Sequence, residues 1–306
     1  MLTYIMLAGG LLGLFLGGDW LVRGASQIAA RFNVPPLIIG LTIVGFGTST
    51  PELLVSLQAA FAGLPGIAIG NVVGSNIANI LLILGVAGVI APPIANFTKM
   101  RRDLFWMLGA ALVMPVIIYS GYVGRIEGAL LLIGLGTYLT ISFRAMRNDP
   151  SEEIVSGVKL LPAMAYTLAG LVAVMVGANY LVESATILAR QLGVSEAMIG
   201  LSIVAVGTSL PELATTVAAA IKGEREIALG NVIGSNIFNI LAILGLTGLI
   251  IPIPVDPRFI NFDLPVMLCA TALTLVLIYA RGEISRIVGA AMIAGYAGYI
   301  AIGASL

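Results

Sequence analysis

The stretch GTSTPE at residues 47–52 occurs a second time, with one change, as GTSLPE at residues 207–212. A second pair of stretches, GNVVGSNI at 70–77 and GNVIGSNI at 230–237, keeps the same separation of 160 residues. In the segments that contain these motifs, 28 of 46 positions are identical without a gap, 40–85 against 200–245. Shared hydrophobicity does not match Thr, Ser, Asn and Glu at equal spacing, so the two halves arose by duplication.

The composition is that of a membrane protein. Hydrophobic residues make up 59% of the 306 positions and charged residues 10%, whereas soluble domains carry about 25% charged residues. A chain this apolar is expected to be an all-α polytopic protein in a lipid bilayer. The net charge of zero argues against nucleic acid as a partner, and the absence of His removes the usual ligand for transition metals.

Apolar runs of roughly 20 residues, the length that crosses the hydrocarbon, predict ten transmembrane helices: 3–32, 36–61, 67–92, 104–121, 124–146, 158–191, 196–221, 226–251, 263–281 and 285–304. The polar segment 148–157 reads as a cytoplasmic linker between a first repeat, 1–147, and a second, 158–306. Because five spans per repeat is an odd number, the second repeat enters the membrane from the opposite side. Inverted repeats of this kind are associated with secondary transporters.

The basic residues predict the orientation. Twelve of the 15 Lys and Arg lie on the side reached after odd-numbered spans, and only Arg125, Arg190 and Arg258 lie on the other. Positive charge accumulates in cytoplasmic loops. We therefore expect both termini on the extracytoplasmic side of a prokaryotic plasma (inner) membrane.

Glu52 and Glu212 fall near the middle of the second and seventh predicted spans. An ionised carboxylate at that depth costs at least a few kcal/mol unless it is paired (~2.5–3.5 kcal/mol on insertion scales). No Lys or Arg lies at comparable depth in the sequence. A bound cation is the expected counter-charge, and the alternative is a protonated, structural Glu.

Pro51 and Pro211 precede these glutamates and interrupt the helix, because proline has no N–H and its ring disturbs the preceding turn. The carbonyls of that turn are then free for a ligand. Thr48 lies four residues before Glu52 and shares its helix face, as Thr208 does with Glu212. Oxygen ligands of this type suit hard cations such as Na+ and Ca2+. The alternative is a plain proline kink.

The third and eighth spans repeat a second polar pattern. Ser75 and Asn79 are four residues apart, as are Ser235 and Asn239. Each pair is expected to share one helix face and to add a second layer of polar ligands, and the alternative is hydrogen-bonded packing between helices. Of the other acids, Asp19, Asp103 and Asp263 are expected at the membrane interface.

With these motifs the sequence resembles the cation/Ca2+ exchanger superfamily, and within it the prokaryotic Na+/Ca2+ exchanger-like members. The resemblance covers the whole ten-span plan. It implies that Glu52 and Glu212 bind Ca2+ together with the carbonyls of Thr48 and Thr208. It also implies that Asn79 and Asn239 line the centre of the site, and that the first and sixth helices slide across the bundle. The Na+ sites that it implies use the same oxygens together with Ser49, Ser209, Ser75, Ser235 and the carbonyls of Gly45 and Ala205.

Asn239 departs from that family pattern, because several members have Asp at this position. Two carboxylates neutralise one Ca2+, whereas three Na+ would leave one positive charge in excess. The ion stoichiometry and any dependence on K+ therefore stay open from the sequence.

The function predicted is Na+/Ca2+ antiport by a transporter that acts as a monomer, with Ca2+ and Na+ as substrates and no cofactor. The alternative within this class is H+/cation antiport on the same glutamates. A passive cation channel would not need the two inverted, broken helices. An intramembrane enzyme would need a base for Ser49 or Ser209, and the sequence supplies no His and no nearby Lys.

Overall fold

The computed structural model describes residues 2–32, 34–148, 159–193 and 205–303. Most of the predicted linker 148–157 lies outside the described residues, as does the first part of the predicted span 196–221, up to residue 204. The predicted division into two repeats at this linker therefore stays a prediction.

The described chain is almost entirely helical. Its helices are α1 Leu2–Phe32, α2 Pro36–Thr48, α3 Thr50–Phe61, α4 Pro65–Ile90, α5 Phe97–Ile118, α6 Arg125–Asn148, α7 Leu160–Gln191, α8 Ala205–Gly207, α9 Leu210–Ile221, α10 Arg225–Ile250, α11 Phe259–Arg281 and α12 Arg286–Gly303. One small antiparallel sheet departs from the all-α expectation. It pairs β1, Tyr122–Val123, with β2, Ile253–Pro254, in the register Tyr122↔Pro254 and Val123↔Ile253.

Seven helices of the described residues are long and apolar enough to cross a bilayer, namely α1, α4, α6, α7, α10, α11 and α12. The pair α2–α3 would be an eighth span, bent by 41° at its break. The chain is therefore a polytopic helical membrane protein, as its composition predicted. The bounds of these helices agree with the corresponding predicted spans to within a few residues.

The bend between α2 and α3 lies at Ser49, whose φ of −82° and ψ of 6° are not helical. Ser209 has the same conformation, φ −90° and ψ 7°, immediately before α9. Pro51 and Pro211 are the second residues of the helices that follow, a position that tolerates the missing N–H. The two GTSxPE motifs thus form the same helix–break–helix element.

The central helices α4 and α10 each contain a wider, π-helical stretch, Ala78–Leu84 and Asn239–Leu244. Such insertions into an α-helix occur frequently at functional sites. These two helices also form the interior, because 72% and 78% of their most apolar windows are buried within the protein. The corresponding shares for α1 and α7 are 33% and 28%, so these two helices are peripheral.

The peripheral helices α1 and α7 pack against each other backbone to backbone. A Cβ added to Gly10 would lie 2.8 Å from the carbonyl oxygen of Gly177, and one added to Gly17 would lie 2.9 Å from that of Gly170. Only glycine permits this approach. Gly10 and Gly170 are equivalent in the two repeats, as are Gly17 and Gly177, so the two contacts are related by the repeat.

Asp103 and Asp263, which the sequence places near helix starts, are buried inside the protein. Asp103 is 0% exposed and accepts hydrogen bonds from Arg102 at 3.0 and 3.1 Å. Asp263 is 3% exposed and accepts one from Tyr299 at 2.7 Å. The burial of both acids comes from the packing of the bundle, which the linear pattern alone does not reveal.

Candidate functional site

The two motif glutamates are buried at the start of equivalent helices. Glu52 lies in the first turn of α3 and Glu212 in the first turn of α9, and each is 1% exposed. The serine of each GTSxPE motif reaches the carboxyl group of the other motif, so both carboxyl groups border one polar cluster. None of the ion pairs found between described residues involves either glutamate. The two carboxyl groups therefore share one interior region with no basic partner among the residues that the structure describes.

Each glutamate is contacted by the serine of the other repeat. The Ser49 hydroxyl donates to Oε1 of Glu212 at 2.9 Å, and the Ser209 hydroxyl donates to Oε1 of Glu52 at 3.4 Å. The break in each helix turns the serine away from its own helix, so that it reaches across to the partner motif. The two halves are thereby joined at their most polar point.

The serines of the central helices extend this group. The Ser209 hydroxyl lies 3.4 Å from that of Ser75 on α4, and Ser235 on α10 donates to the carbonyl of Gly45 at 3.3 Å. A Cβ on Gly45 would lie only 3.2 Å from the backbone nitrogen of Ser235. Glycine at position 45 thus lets α2 approach α10 and brings a backbone carbonyl to the site.

Thr48 is fully buried and lies beside the same carbonyl. Its hydroxyl donates within α2 to the carbonyl oxygens of Val44 at 3.1 Å and Gly45 at 3.3 Å. It is also 3.2 Å from Oδ1 of Asn231 on α10. The hydroxyl is satisfied by this network, so a cation-binding role for Thr48 would fall to its carbonyl oxygen, as the family resemblance implies.

Several buried polar atoms of the site have no hydrogen-bond partner among the described residues. They are Oε2 of Glu52, Oε2 of Glu212, and both amide atoms of Asn79 and of Asn239. Buried polar atoms normally have partners. The carboxylate and amide oxygens in this group are therefore available as ligands for a hard cation.

Asn79 and Asn239 lie in the π-helical stretches, and each stretch contacts a helix of the other repeat. The stretch that contains Asn79 packs against α9, and the stretch that contains Asn239 packs against α3. The wider turn alters the direction of side chains along these two helices at the level of the glutamate-bearing helices. Sequence periodicity does not reveal such a turn.

Two further residues of the site were not singled out from the sequence. The Asn71 side-chain amide donates to the carbonyl of Glu52 at 2.9 Å and to the Ser56 hydroxyl at 2.8 Å. Asn231 repeats this arrangement with the carbonyl of Glu212 at 3.3 Å and Thr216 at 2.9 Å. Both asparagines are in the duplicated GNV motif, so their identical place in the two repeats was the available signal.

The predicted ligands Ala205 and Thr208 lie at the first residue of α8 and directly after its last residue. Thr208 is half-buried in the turn between α8 and α9. Ala205 is the first residue after an undescribed segment, and its side chain lies outside the description. The predicted roles of their carbonyl oxygens stay predictions.

A family model described as sodium/calcium exchanger protein matches residues 2–144 and 162–303. The chain belongs to the sodium/calcium exchanger family. This membership confirms the resemblance that the motifs carry, and it makes cation antiport with Ca2+ the functional class of the protein.

Relatives cover almost the whole of this exchanger. The inner membrane protein YrbG of Escherichia coli is 37% identical over 99% of the chain and 97% of its own length. The sodium/calcium exchanger MaX1 of Methanosarcina acetivorans is 35% identical, with 98% of each chain covered. A solved structure of the sodium-calcium exchanger NCX_Mj, soaked with Na+ and Sr2+, superposes with a TM-score of 0.87 at 34% identity, with 98% of each chain covered.

Proposed function

We propose that this exchanger moves Ca2+ against Na+ at one site between Glu52 and Glu212. The observation that carries the proposal is the pair of buried carboxyl groups, each hydrogen-bonded to the serine of the other motif and without a basic partner among the described residues. Two unit negative charges in a region of low dielectric attract cations strongly, and a Ca2+ ion would neutralise both.

Competition for the same oxygens gives the coupling. In this proposal Ca2+ uses both carboxylates with the carbonyls of Thr48 and Thr208. Na+ uses the same oxygens, together with the hydroxyls of Ser49, Ser209, Ser75 and Ser235 and the carbonyls of Gly45 and Ala205. Asn79 and Asn239 line the centre. Because one set of ligands serves both ions, binding of one expels the other, and Na+ entering down its gradient drives Ca2+ out.

The membrane topology proposed for this mechanism has ten spans in two inverted five-helix repeats. Both termini lie outside a prokaryotic inner membrane, and the linker and most basic residues are cytoplasmic. The repeat-related pairs of contacts, Ser49–Glu212 with Ser209–Glu52 and Gly10–Gly177 with Gly17–Gly170, support this arrangement. Each transporter acts as a monomer in the bilayer, since the proposed site is complete within one chain.

The test is uptake of radioactive Ca2+ into proteoliposomes that contain the purified protein. Vesicles loaded with Na+ are compared with vesicles loaded with K+ or choline at matched pH. Uptake that requires internal Na+ supports the proposal. Uptake that ignores Na+ but follows a pH gradient would assign H+/Ca2+ antiport to the same glutamates, because an unpaired carboxylate also carries a proton. No Ca2+ uptake under either gradient would contradict both.

A further inference from the structure

An ion pair ties the peripheral helix α1 to the end of α9. The Lys222 Nζ lies 2.7 Å from Oδ1 of Asp19, and it also donates to the backbone carbonyl of Asp19 at 2.8 Å. Lys222 follows directly after the last residue of α9, and Asp19 lies in the middle of α1. Arg23, one turn further along α1, is placed over the Tyr166 ring, 4.6 Å from its centre, so Lys222 is the cation on Asp19.

The equivalent positions of the other repeat carry no charge. Asp19 corresponds to Asn179 on α7, and Lys222 corresponds to Ala62 at the end of α3. The backbone conformations at these helix ends also correspond, because the residues that follow Ala62 and Lys222, Gly63 and Gly223, have φ of 70° and 78°. The ion pair therefore exists on one side of the inverted-repeat structure only.

The peripheral helices α1 and α7 pack more closely against α9 than against α3. A Cβ on Gly18 of α1 would lie 3.0 Å from the carbonyl oxygen of Ala214 and 3.2 Å from the side chain of Ala218, both on α9. Helix α7 also packs against α9. Among the described residues neither α1 nor α7 makes a comparable contact with α3. Leu54, the α3 equivalent of Ala214, is accordingly 50% exposed.

In a transporter with inverted repeats, a second conformation is expected in which the two repeats have exchanged their arrangements. If the repeats exchange roles, α7 packs on α3 and leaves α9, and the opening moves to the other side of the membrane. Asp19 and Lys222 then separate, and Asn179 and Ala62 come together without forming an ion pair. An interaction made in only one of two conformations shifts their populations by its full strength.

We propose that the Asp19–Lys222 ion pair is a one-sided latch that holds the α1–α7 pair on α9 and favours the conformation closed on that side. This proposal rests on the proposed function, and in its topology the latched side is cytoplasmic. The resting exchanger is therefore biased to bind its ions from outside. A half-exposed ion pair supplies roughly a twofold to fivefold bias.

The experiment uses two cysteine reporters in a Cys269→Ser background, because Cys269 is exposed and would react. Ala218→Cys, the α9 reporter, marks the surface that α1 covers, and Gln58→Cys, the α3 reporter, marks its uncovered equivalent. The full-length protein is placed in lipid nanodiscs, where both faces are accessible, without Ca2+. The rate of modification by a hydrophilic thiol reagent is measured at each reporter.

Removing the latch should uncover α9. Asp19→Asn and Lys222→Gln are each expected to raise the modification rate of the α9 reporter by roughly twofold to fivefold without accelerating the α3 reporter. The charge-reversed pair Asp19→Lys with Lys222→Asp should return the rate at the α9 reporter toward its starting value. Asn179→Asp with Ala62→Lys builds the equivalent pair on the other side. In the Asp19→Asn background it should slow the α3 reporter and accelerate the α9 reporter further.

Unchanged modification rates at the α9 reporter in both single variants would overturn the latch. A pair built from Asn179→Asp and Ala62→Lys that slowed modification of the α9 reporter would overturn it as well. The thiol rates do not depend on which ion is transported. If the wild-type protein shows no Na+-dependent Ca2+ uptake, that result would contradict the proposed function alone. Normal uptake with unresponsive reporters would contradict the latch alone.

Discussion

At the scale of single residues, the charge of Glu52 and Glu212 is the property that the proposed mechanism needs. Glu52→Gln or Glu212→Gln keeps the shape of the side chain and removes half of the negative charge. We expect each variant to lose Na+-dependent Ca2+ uptake by at least ~100-fold, since ~3 kcal/mol is a typical penalty for removing one partner of a buried charge interaction. Uptake into Na+-loaded vesicles measures this loss. Glu283→Gln, at an exposed acid, is the control, and persistent uptake in either site variant would contradict the assignment.

Asn239 determines how many charges the site contains. In the proposed mechanism the two carboxylates make the site neutral with one Ca2+, and Asn239→Asp would leave it one charge negative. We expect this variant to bind Na+ more tightly than the wild type, because a third carboxylate offsets the excess charge of several Na+ ions. The Na+ concentration that half-inhibits Ca2+ uptake should fall by about tenfold, roughly 1.4 kcal/mol. An unchanged inhibition constant would show that residue 239 lies away from the Na+ ligands, and Asn76→Asp on α4 provides the comparison.

Asn71 and Asn231 position the glutamates through their backbone carbonyls. Asn71→Ala should therefore change the discrimination between Ca2+ and Sr2+, because the Glu52 carbonyl and the Ser56 hydroxyl lose their common donor. The matched control is Asn76→Ala, whose amide donates at 2.8 Å to Val72 within its own helix. Both variants should lower the melting temperature, because Asn71→Ala removes two side-chain hydrogen bonds and Asn76→Ala removes one, each worth ~1 kcal/mol. Competition between the two ions in uptake should change only in Asn71→Ala, and equal behaviour of both variants would leave Asn71 a purely structural residue.

Much of the site could be predicted from the sequence because the duplication made it visible. Glu52 and Glu212 stood out as charges within apolar spans, and the prolines indicated the breaks at Ser49 and Ser209. The bond of each serine to the glutamate of the other repeat could not be predicted, since linear spacing carries no information on contacts across repeats. Asn71 was quoted with its motif but given no role, because its partner is a backbone carbonyl, which no sequence pattern marks.

At the scale of elements, the close contact of α1 and α7 depends on glycine. Gly17→Leu would drive a side chain into the backbone of α7, where a Cβ already lies 2.7 Å from the nitrogen of Val174. We expect the variant to unfold well below the wild-type temperature or to express poorly, since overpacking costs about 1–3 kcal/mol or more. Gly9→Leu is the control on the same helix, because nothing lies within 4 Å of a Cβ there. Thermal unfolding in detergent compares the two, and equal stability would show that the helices adjust without loss.

The helices themselves were predicted more reliably than their internal geometry. Apolar length gave α1, α4 and α10 to within a few residues, because a bilayer sets the length of a span. The π-helical stretches of α4 and α10 were missed, as was the β1–β2 pairing. Both depend on neighbours far away in sequence. The burial of Asp103 and Asp263 within the protein was not predicted either, because it comes from the packing of the bundle. Their expected place at the membrane interface stays a prediction.

At the scale of the whole molecule, the two repeats meet at the proposed site, so a bound cation would hold them together. Glu52 belongs to one repeat and Glu212 to the other, and a Ca2+ ion between them would replace their mutual repulsion by attraction. A ligand that binds only the folded state stabilises it by ~2.7 kcal/mol at one hundred times its dissociation constant. Saturating Ca2+ should therefore raise the melting temperature, and a chelator should reverse the rise.

The same measurement distinguishes Na+ coupling from H+ coupling without a flux assay. If Na+ competes for the carboxylates, added Na+ should reduce the stabilisation by a fixed Ca2+ concentration, whereas equal K+ should not. If protons are the competing ion, lowering the pH should reduce it and Na+ should act no differently from K+. In Glu52→Gln and Glu212→Gln the Ca2+ effect should shrink toward zero, because one charge alone offers a divalent ion little compensation for its lost hydration. A Ca2+ stabilisation that survives in both variants would place the ion elsewhere in the molecule.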